Sequence, residues 1–120
     1  MRFLTVYKPS KGEGNPPTQQ EMCEMSELVE EGMKAGWLLS TEGCLPSSLG
    51  ARVRQSTGNV VITDGPFVET KELIGGFALI QAGSKQEAVE LTKHFLTVAG
   101  DGEVEIRQLY EAPAAASASR

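Results

Sequence analysis

Two four-residue segments constrain this chain more than any other feature: Thr18-Gln-Gln-Glu21 and Ser84-Lys-Gln-Glu87. Each has the form of a capping box. A hydroxyl takes one orphan amide at a helix start, and the glutamate three residues on reaches back to another. Each is followed by apolar residues at helical spacing. Met22, Met25, Val29 and Met33 follow the first, with Leu28 alongside; Ala88, Leu91, Phe95 and Val98 follow the second. The pattern predicts one helix ending near Ala35, with Gly36 past its end, and another ended by Gly100-Asp-Gly102. Glu21, Glu24, Glu27, Glu30 and Glu31 read as the wet face of the first helix, and Cys23 as a packing residue near its apolar side.

Strands fill the intervals. Residues 2–7 are β-branched and aromatic, Trp37–Thr41 resumes a strand, and Ala51–Ser56 with Asn59–Thr63 forms a hairpin turning at Thr57-Gly58. Residues 8–17, 45–50 and 64–71 are loops. Glu72–Gln81 is the most apolar strand and Glu103–Tyr110 the last. The order β-α-β-(hairpin)-β-α-β predicts an α+β fold, a ferredoxin-like antiparallel sheet with two helices on one face. Residues 1–111 make a single domain, and 112–120, which lack any core-forming side chain, a disordered tail.

Successive strand residues point to opposite faces. Val60, Val61 and Ile62 are all apolar, as are Phe77 to Ile80, so these strands call for burial on both sides. Two helices cover only one face of a sheet. A second copy packed sheet-to-sheet is the simplest cover for the other, which predicts a homodimer.

Several function classes are excluded by charge and spacing. Eleven Lys and Arg stand against sixteen Asp and Glu, a formal net charge of −5; a nucleic-acid binder normally carries a basic face. Gly75-Gly-Phe-Ala-Leu-Ile80 has the look of an RNA-binding strand but lacks its basic start and second stacking aromatic. Gly12-Glu-Gly14 lacks the third glycine of a dinucleotide loop, and Pro16-Pro17 remove amides that a phosphate would need. No metal or cofactor is expected: His94 is the one histidine, and Cys23 and Cys44 lack ligand spacing. No apolar run approaches the ~20 residues of a membrane span, and no signal peptide is evident. Free thiols in a reducing cytoplasm are the expectation for both cysteines.

The informative segment is Thr63-Asp-Gly-Pro-Phe-Val-Glu-Thr-Lys-Glu72. An Asx-turn at Asp64, a positive φ at Gly65 and the fixed φ of Pro66 would build a rigid turn that anchors Phe67. The bland reading is a turn with a local ion pair; the functional one is the rim of a cleft for a small polar ligand. In the functional reading, Lys71 or Arg54 holds an anionic group, while Asp64 or Glu69 takes a proton or orients a hydroxyl. Gly65, Pro66, Phe67 and Glu72 complete the binding surface. Arg54 is included because its strand pairs with the one that delivers Asp64. It shares a face with Arg52, and both are equally readable as solvated. His94 is a further candidate for proton transfer, since its side chain titrates near neutral pH.

Asp64-Gly-Pro-Phe-Val-Glu-Thr-Lys-Glu72, followed by Gly75-Gly76-Phe77, resembles the signature of the DGPF proteins of the YCII-related family. The resemblance runs from the first strand to Glu105-Ile-Arg-Gln-Leu-Tyr-Glu111. It implies a dimeric α+β barrel of ferredoxin-like subunits in a bacterial, cytoplasmic protein, often encoded beside a sigma factor. Related barrels include muconolactone isomerases and other enzymes of cyclic or aromatic acids. Some YCII-like proteins are proposed to use a His–Asp pair with the histidine on the first helix. Thr18–Ala35 contains no histidine, and His94 does not match that position, so the pair does not carry over. What the resemblance and the residues together imply is a protein that binds a small anionic or cyclic acid beside the Asp64–Glu72 loop, with isomerase- or lyase-type chemistry open to it. The alternative is a regulatory or interaction module, without chemistry, linked to a sigma factor.

Overall fold

The computed structural model describes residues 1–12, 16–67 and 73–111. The tail from 112 onward lies outside the described residues. In chain order the elements are β1 (Arg2–Pro9), α1 (Gln19–Ala35), β2 (Leu38–Gly43), a 3-10 turn (Ser47–Leu49), β3 (Ala51–Ser56), β4 (Asn59–Asp64), β5 (Gly76–Gln81), α2 (Lys85–Ala99) and β6 (Gly102–Gln108). The four strands β2-β5-β1-β6 form one antiparallel sheet in that order, while β3 and β4 form a separate two-stranded ribbon. This is the expected ferredoxin-like α+β layout. The central apolar strand begins later than the sequence suggests: residues 73–75 are not strand, and Gly76 is its first residue. The last strand starts one residue early and stops at Gln108.

Both helices start as their residues dictate. Thr18 and Glu21 make a complete capping box: the Thr18 hydroxyl accepts from the Glu21 amide at 3.1 Å, and Glu21 accepts from the Thr18 amide at 3.0 Å. The second box is only half formed. Ser84 accepts from the Glu87 amide, but the Glu87 carboxylate turns to the amide of Gly83. At its end, α1 closes on Gly36 at φ 86°, a conformation that costs glycine nothing.

The core sits at one end of the sheet. Phe3, Leu38, Ile80, Ala82 and Ala88 are buried together, with Val29, Trp37, Leu91 and Ile106 packed against them. Phe3 lies opposite Ile80, and Ile80 opposite Leu38, so one row across three strands faces the helices. Helix α1 comes down onto this row through Gly32, where a Cβ would lie 2.8 Å from the Trp37 ring and 2.9 Å from the Leu38 Cβ. The buried residues of α1 are Leu28 and Gly32, whereas Met22, Cys23 and Met33 are exposed. The apolar stripe is thus rotated from the methionine ladder, and the packing role expected for Cys23 is not what the structure shows.

The ribbon β3–β4 turns through Thr57 (φ 48°) and Gly58 (φ 84°), the tight two-residue hairpin expected at that point. Its β-branched residues are not buried within the single chain: Val60, Val61 and Ile62 are all more than half exposed. The Cα radius of gyration, 16.5 Å, exceeds the roughly 14 Å of a compact chain of this length, as an outstretched ribbon requires.

The Glu21 carboxyl lies below the usual carboxylate range because it accepts the Thr18 amide and, secondarily, is hydrogen-bonded to the Thr18 side chain. A lowered folded pKa contributes stability above the unfolded carboxylate pKa of about 4.3, lost as pH falls through the folded value. Thermal unfolding between pH 6 and pH 2 should therefore show a steeper acid loss in the wild type than in Glu21→Gln. Thr18→Ala should cost about 1 kcal/mol at neutral pH, a fall in melting temperature of several degrees.

Candidate functional site

The end of the sheet opposite the core is hollow. A cavity of about 1140 Å³ opens between the helices and the sheet. Thr5, Tyr7 and Ala78 form its floor; Met25, Leu28 and Val29 of α1 and Leu91, Phe95 and Val98 of α2 form its roof; Trp37 lies at the inner end. Alternation along β1 explains the floor: Phe3, Thr5 and Tyr7 share the helix-facing side, with Phe3 in the core and Tyr7 under the mouth. Tyr7 and Phe95 meet edge to face, 5.4 Å between ring centroids at 81°. The Tyr7 hydroxyl donates to the Asp101 carbonyl at 3.1 Å, tying β1 to the end of α2. Burial, reinforced by the charges of Asp101 and Glu21, pushes its pKa above the usual phenol value.

Two glycines allow the strands to close at the mouth. A Cβ on Gly76 would lie 2.8 Å from the Glu42 carbonyl oxygen, and one on Gly75 would crowd Pro9 and Tyr7 at 3.0 and 3.1 Å. Backbone bonds lock the same corner, from the Gly75 amide to Tyr7 and from the Cys44 amide to Gly75. The mouth itself carries Lys11, Glu21, Glu42 and Asp101, with Cys44, Leu45, Pro46, Leu73 and Ile74 between them.

Of the signature, Gly75, Gly76 and Phe77 line this cavity, but none of the described candidate site residues Arg54, Asp64, Gly65, Pro66, Phe67 and His94 does. Asp64 ends β4 and is exposed, and its side chain accepts no hydrogen bond from the described residues. The expected Asx-turn is chemically impossible, since residue 66 is proline and has no amide to donate. Gly65 does not adopt the positive φ expected of it. It is needed for closeness instead: a Cβ there would overlap the Ser47 carbonyl oxygen. The Gly65 amide donates to Gly50 at 3.0 Å, the Gly65–Pro66 peptide is cis, and the Phe67 amide donates to the Ser47 hydroxyl at 2.9 Å. Phe67 also lies under the Arg52 guanidinium, 4.2 Å from ring centroid to carbon. Asp64 to Phe67 therefore brace the foot of the ribbon against the 3-10 turn.

Register separates two residues that the sequence reading brought together. Arg54 pairs with Val61, and Asp64 with Ala51, so the two side chains occupy opposite faces of the ribbon. His94 lies on the exposed side of α2. Glu69, Lys71 and Glu72 fall outside the described residues. The apolar helix residues of the cavity were visible in the sequence only as core: Met25, Leu91 and Phe95 carry helical periodicity, and periodicity does not tell a filled interior from a hollow one.

An antiparallel ferredoxin-like sheet, two helices on one face and a hollow between them define a small α+β protein with a cavity between its layers. The YCII-related domain matches residues 1–113, and the chain belongs to that family. An uncharacterized protein of Rhizobium meliloti (strain 1021) is 32% identical over 92 residues, spanning 76% of this chain and 74% of its own. Among solved structures, 5-chloro-2-hydroxyhydroquinone dehydrochlorinase from Burkholderia phenoliruptrix AC1100, in complex with 2,5-dihydroxybenzoquinone, is 16% identical at a TM-score of 0.49, with 93% of this chain and 96% of that one covered. That degree of likeness carries no information about the reaction here. No helix among the described residues is long and apolar enough to cross a membrane.

Gly65→Ala should push the turn away from Ser47 and destabilise the fold by about 1–3 kcal/mol, the scale of an overpacked site. Hydrogen exchange should show the loss as faster exchange of the Gly65 and Phe67 amides, with the amides of β1 and β5 protected as before.

Proposed function

We propose that this protein binds a small cyclic or phenolic compound in the cavity between its helices and its sheet, and that it does so as a homodimer. The cavity carries this reading. Its walls are mostly apolar, with a few polar groups at one end, the ordinary composition of a small-molecule site, and it is slightly larger than the usual range of roughly 300–1,000 Å³. The Tyr7–Phe95 pair offers ring edges and faces to a flat ligand. Among the described residues the mouth carries three carboxylates against one amine, which favours entry of an acidic ligand in its neutral form, since an anion would meet like charge there. Glu69, Lys71 and Glu72 stay candidates for ligand contact because they come just before Leu73 of the cavity wall in the sequence. Proton-transfer chemistry of the isomerase or lyase type would draw on one of these groups or on a carboxylate of the mouth, Glu21, Glu42 or Asp101.

The dimer rests on the sheet. Leu4 and Val6 of β1 and Phe77 and Leu79 of β5 share the face that the helices do not cover. Packing that face against a second copy removes it from water. The competing reading, an interaction module for another protein such as a sigma factor, draws on the same exposed apolar surface.

A thermal-shift screen with phenols and cyclic carboxylic acids tests the site. A compound at 100 times its dissociation constant adds ~2.7 kcal/mol, a shift on the order of 10 °C for a domain this size. The stabilisation should disappear in Val98→Phe, which puts a ring into the cavity, and persist in Asp64→Asn. Loss in Asp64→Asn alone would move the site to the loop. No stabilising compound across the screen, with a folded wild type, would favour the protein-partner reading.

A further inference from the structure

The hydroxyls on the floor and roof of the cavity are all turned the same way. Thr5 donates to the Ala78 carbonyl at 3.1 Å, Thr41 to Phe77 at 3.0 Å, Thr92 to Ala88 at 2.8 Å and Tyr7 to Asp101 at 3.1 Å. All four residues line the cavity. A carbonyl oxygen only accepts, so each hydroxyl has given up its one proton and keeps its lone pairs. A ligand that hydrogen-bonds to these groups must bring the donors. The excess of acceptors is greatest at Tyr7. Its oxygen lies 3.4 Å from the carbonyls of both Ala99 and Gly100 and 3.1 Å from that of Asp101, and one proton faces three oxygens. These carbonyls gather at the C-terminal end of α2, where the helix dipole places partial negative charge. The last turn of α2 carries no basic residue to answer it. Asp101 and Glu21 add charge of the same sign, close enough to Tyr7 to reinforce the effect of burial on its hydroxyl. Lys11 stands near Glu21 and offsets it in part, while the Asp101 carboxylate makes no ion pair with a described residue.

We infer that the cavity takes an organic cation, a primary amine on a cyclic or aromatic body, with its ammonium group against the Tyr7 oxygen, the carbonyl end of α2 and Asp101. The inference rests on the reading of the cavity as a small-molecule site and names the class of compound that the site selects. An ammonium carries three donors and no acceptor, the complement of a corner built from phenol, carbonyl and carboxylate oxygens. It also supplies the positive charge that the end of α2 lacks. The ring of the ligand falls among Met25, Leu28 and Val29 above and Ala78 below. Tyr7 and Phe95, 5.4 Å apart, place aromatic rings beside the cation as well. An alcohol of the same shape brings one donor and no charge. A carboxylate brings no donor and meets like charge. The order of preference is therefore amine, then alcohol, then carboxylate.

The test is calorimetric titration of the wild-type protein with three compounds of one shape: 2-phenylethylamine, 2-phenylethanol and 3-phenylpropionate. The amine should bind on the order of tenfold more tightly than the alcohol, the difference between charged and neutral hydrogen bonds, and the carboxylate should be weakest. Raising the salt concentration should shrink the lead of the amine and leave the alcohol unchanged. Asp101→Asn alters one exposed side chain and keeps its size and its backbone carbonyl. It should weaken the amine roughly threefold and leave both the alcohol and the circular dichroism as they were. An alcohol or carboxylate that binds as tightly as the amine would overturn the inference, and so would an amine whose lead is untouched in a folded Asp101→Asn. No binding by the amine, with phenols or cyclic acids stabilising the wild type and failing in Val98→Phe, would overturn the inference alone and leave the cavity reading standing. No binding by any of these compounds would remove both.

Discussion

The fold depends on one tight contact, the descent of α1 onto β2 at Gly32. Only the missing side chain lets the helix come within reach of Trp37 and Leu38, and the buried row of Leu38, Ile80 and Phe3 continues the contact across the sheet. The start of α2 joins the same end through Ala88, which is fully buried. Two helices held down hard at one end need not follow a twisted sheet at the other. The hollow beneath Met25, Phe95 and Val98 is the counterpart of that one-ended core. Tyr7 keeps the hollow from collapsing or flaring, since its hydroxyl holds the end of α2 at a set height above β1.

The Asp64–Phe67 segment has a mechanical role within the described residues. Gly65 passes against the Ser47 carbonyl, and the Phe67 amide holds the Ser47 hydroxyl. The ribbon is thus clamped at its foot and unsupported along its length. A signature with this much backbone constraint sets the direction in which the ribbon leaves the body.

Much of this was legible in the chain. The capping residues at Thr18 and Ser84, the hairpin at Thr57-Gly58 and the strand order follow from local chemistry, and local chemistry is what a sequence displays. The misreadings have a common origin. Met22 and Met33 keep helical spacing with Met25 and Val29 but sit outside the buried sector, because Gly32 rather than a large side chain marks the contact line. Gly65 is glycine because of a neighbour eighteen positions earlier, not because of its own φ. Arg54 and Asp64 look like partners until the register puts them on opposite faces.

By itself the sequence determined the elements, their order, the α+β class, the family signature and the mismatch between apolar strands and available cover. These are consequences of period, capping and charge, each readable within a few residues. Tertiary structure alone decided that the core lies at one end and the cavity at the other, that the ribbon stands apart from the sheet, and which residues line the mouth. The physical reason is distance along the chain. Tyr7 meets Asp101, Gly65 meets Ser47 and Gly76 meets Glu42, and no pattern in a window of neighbouring residues records which distant segments come to touch.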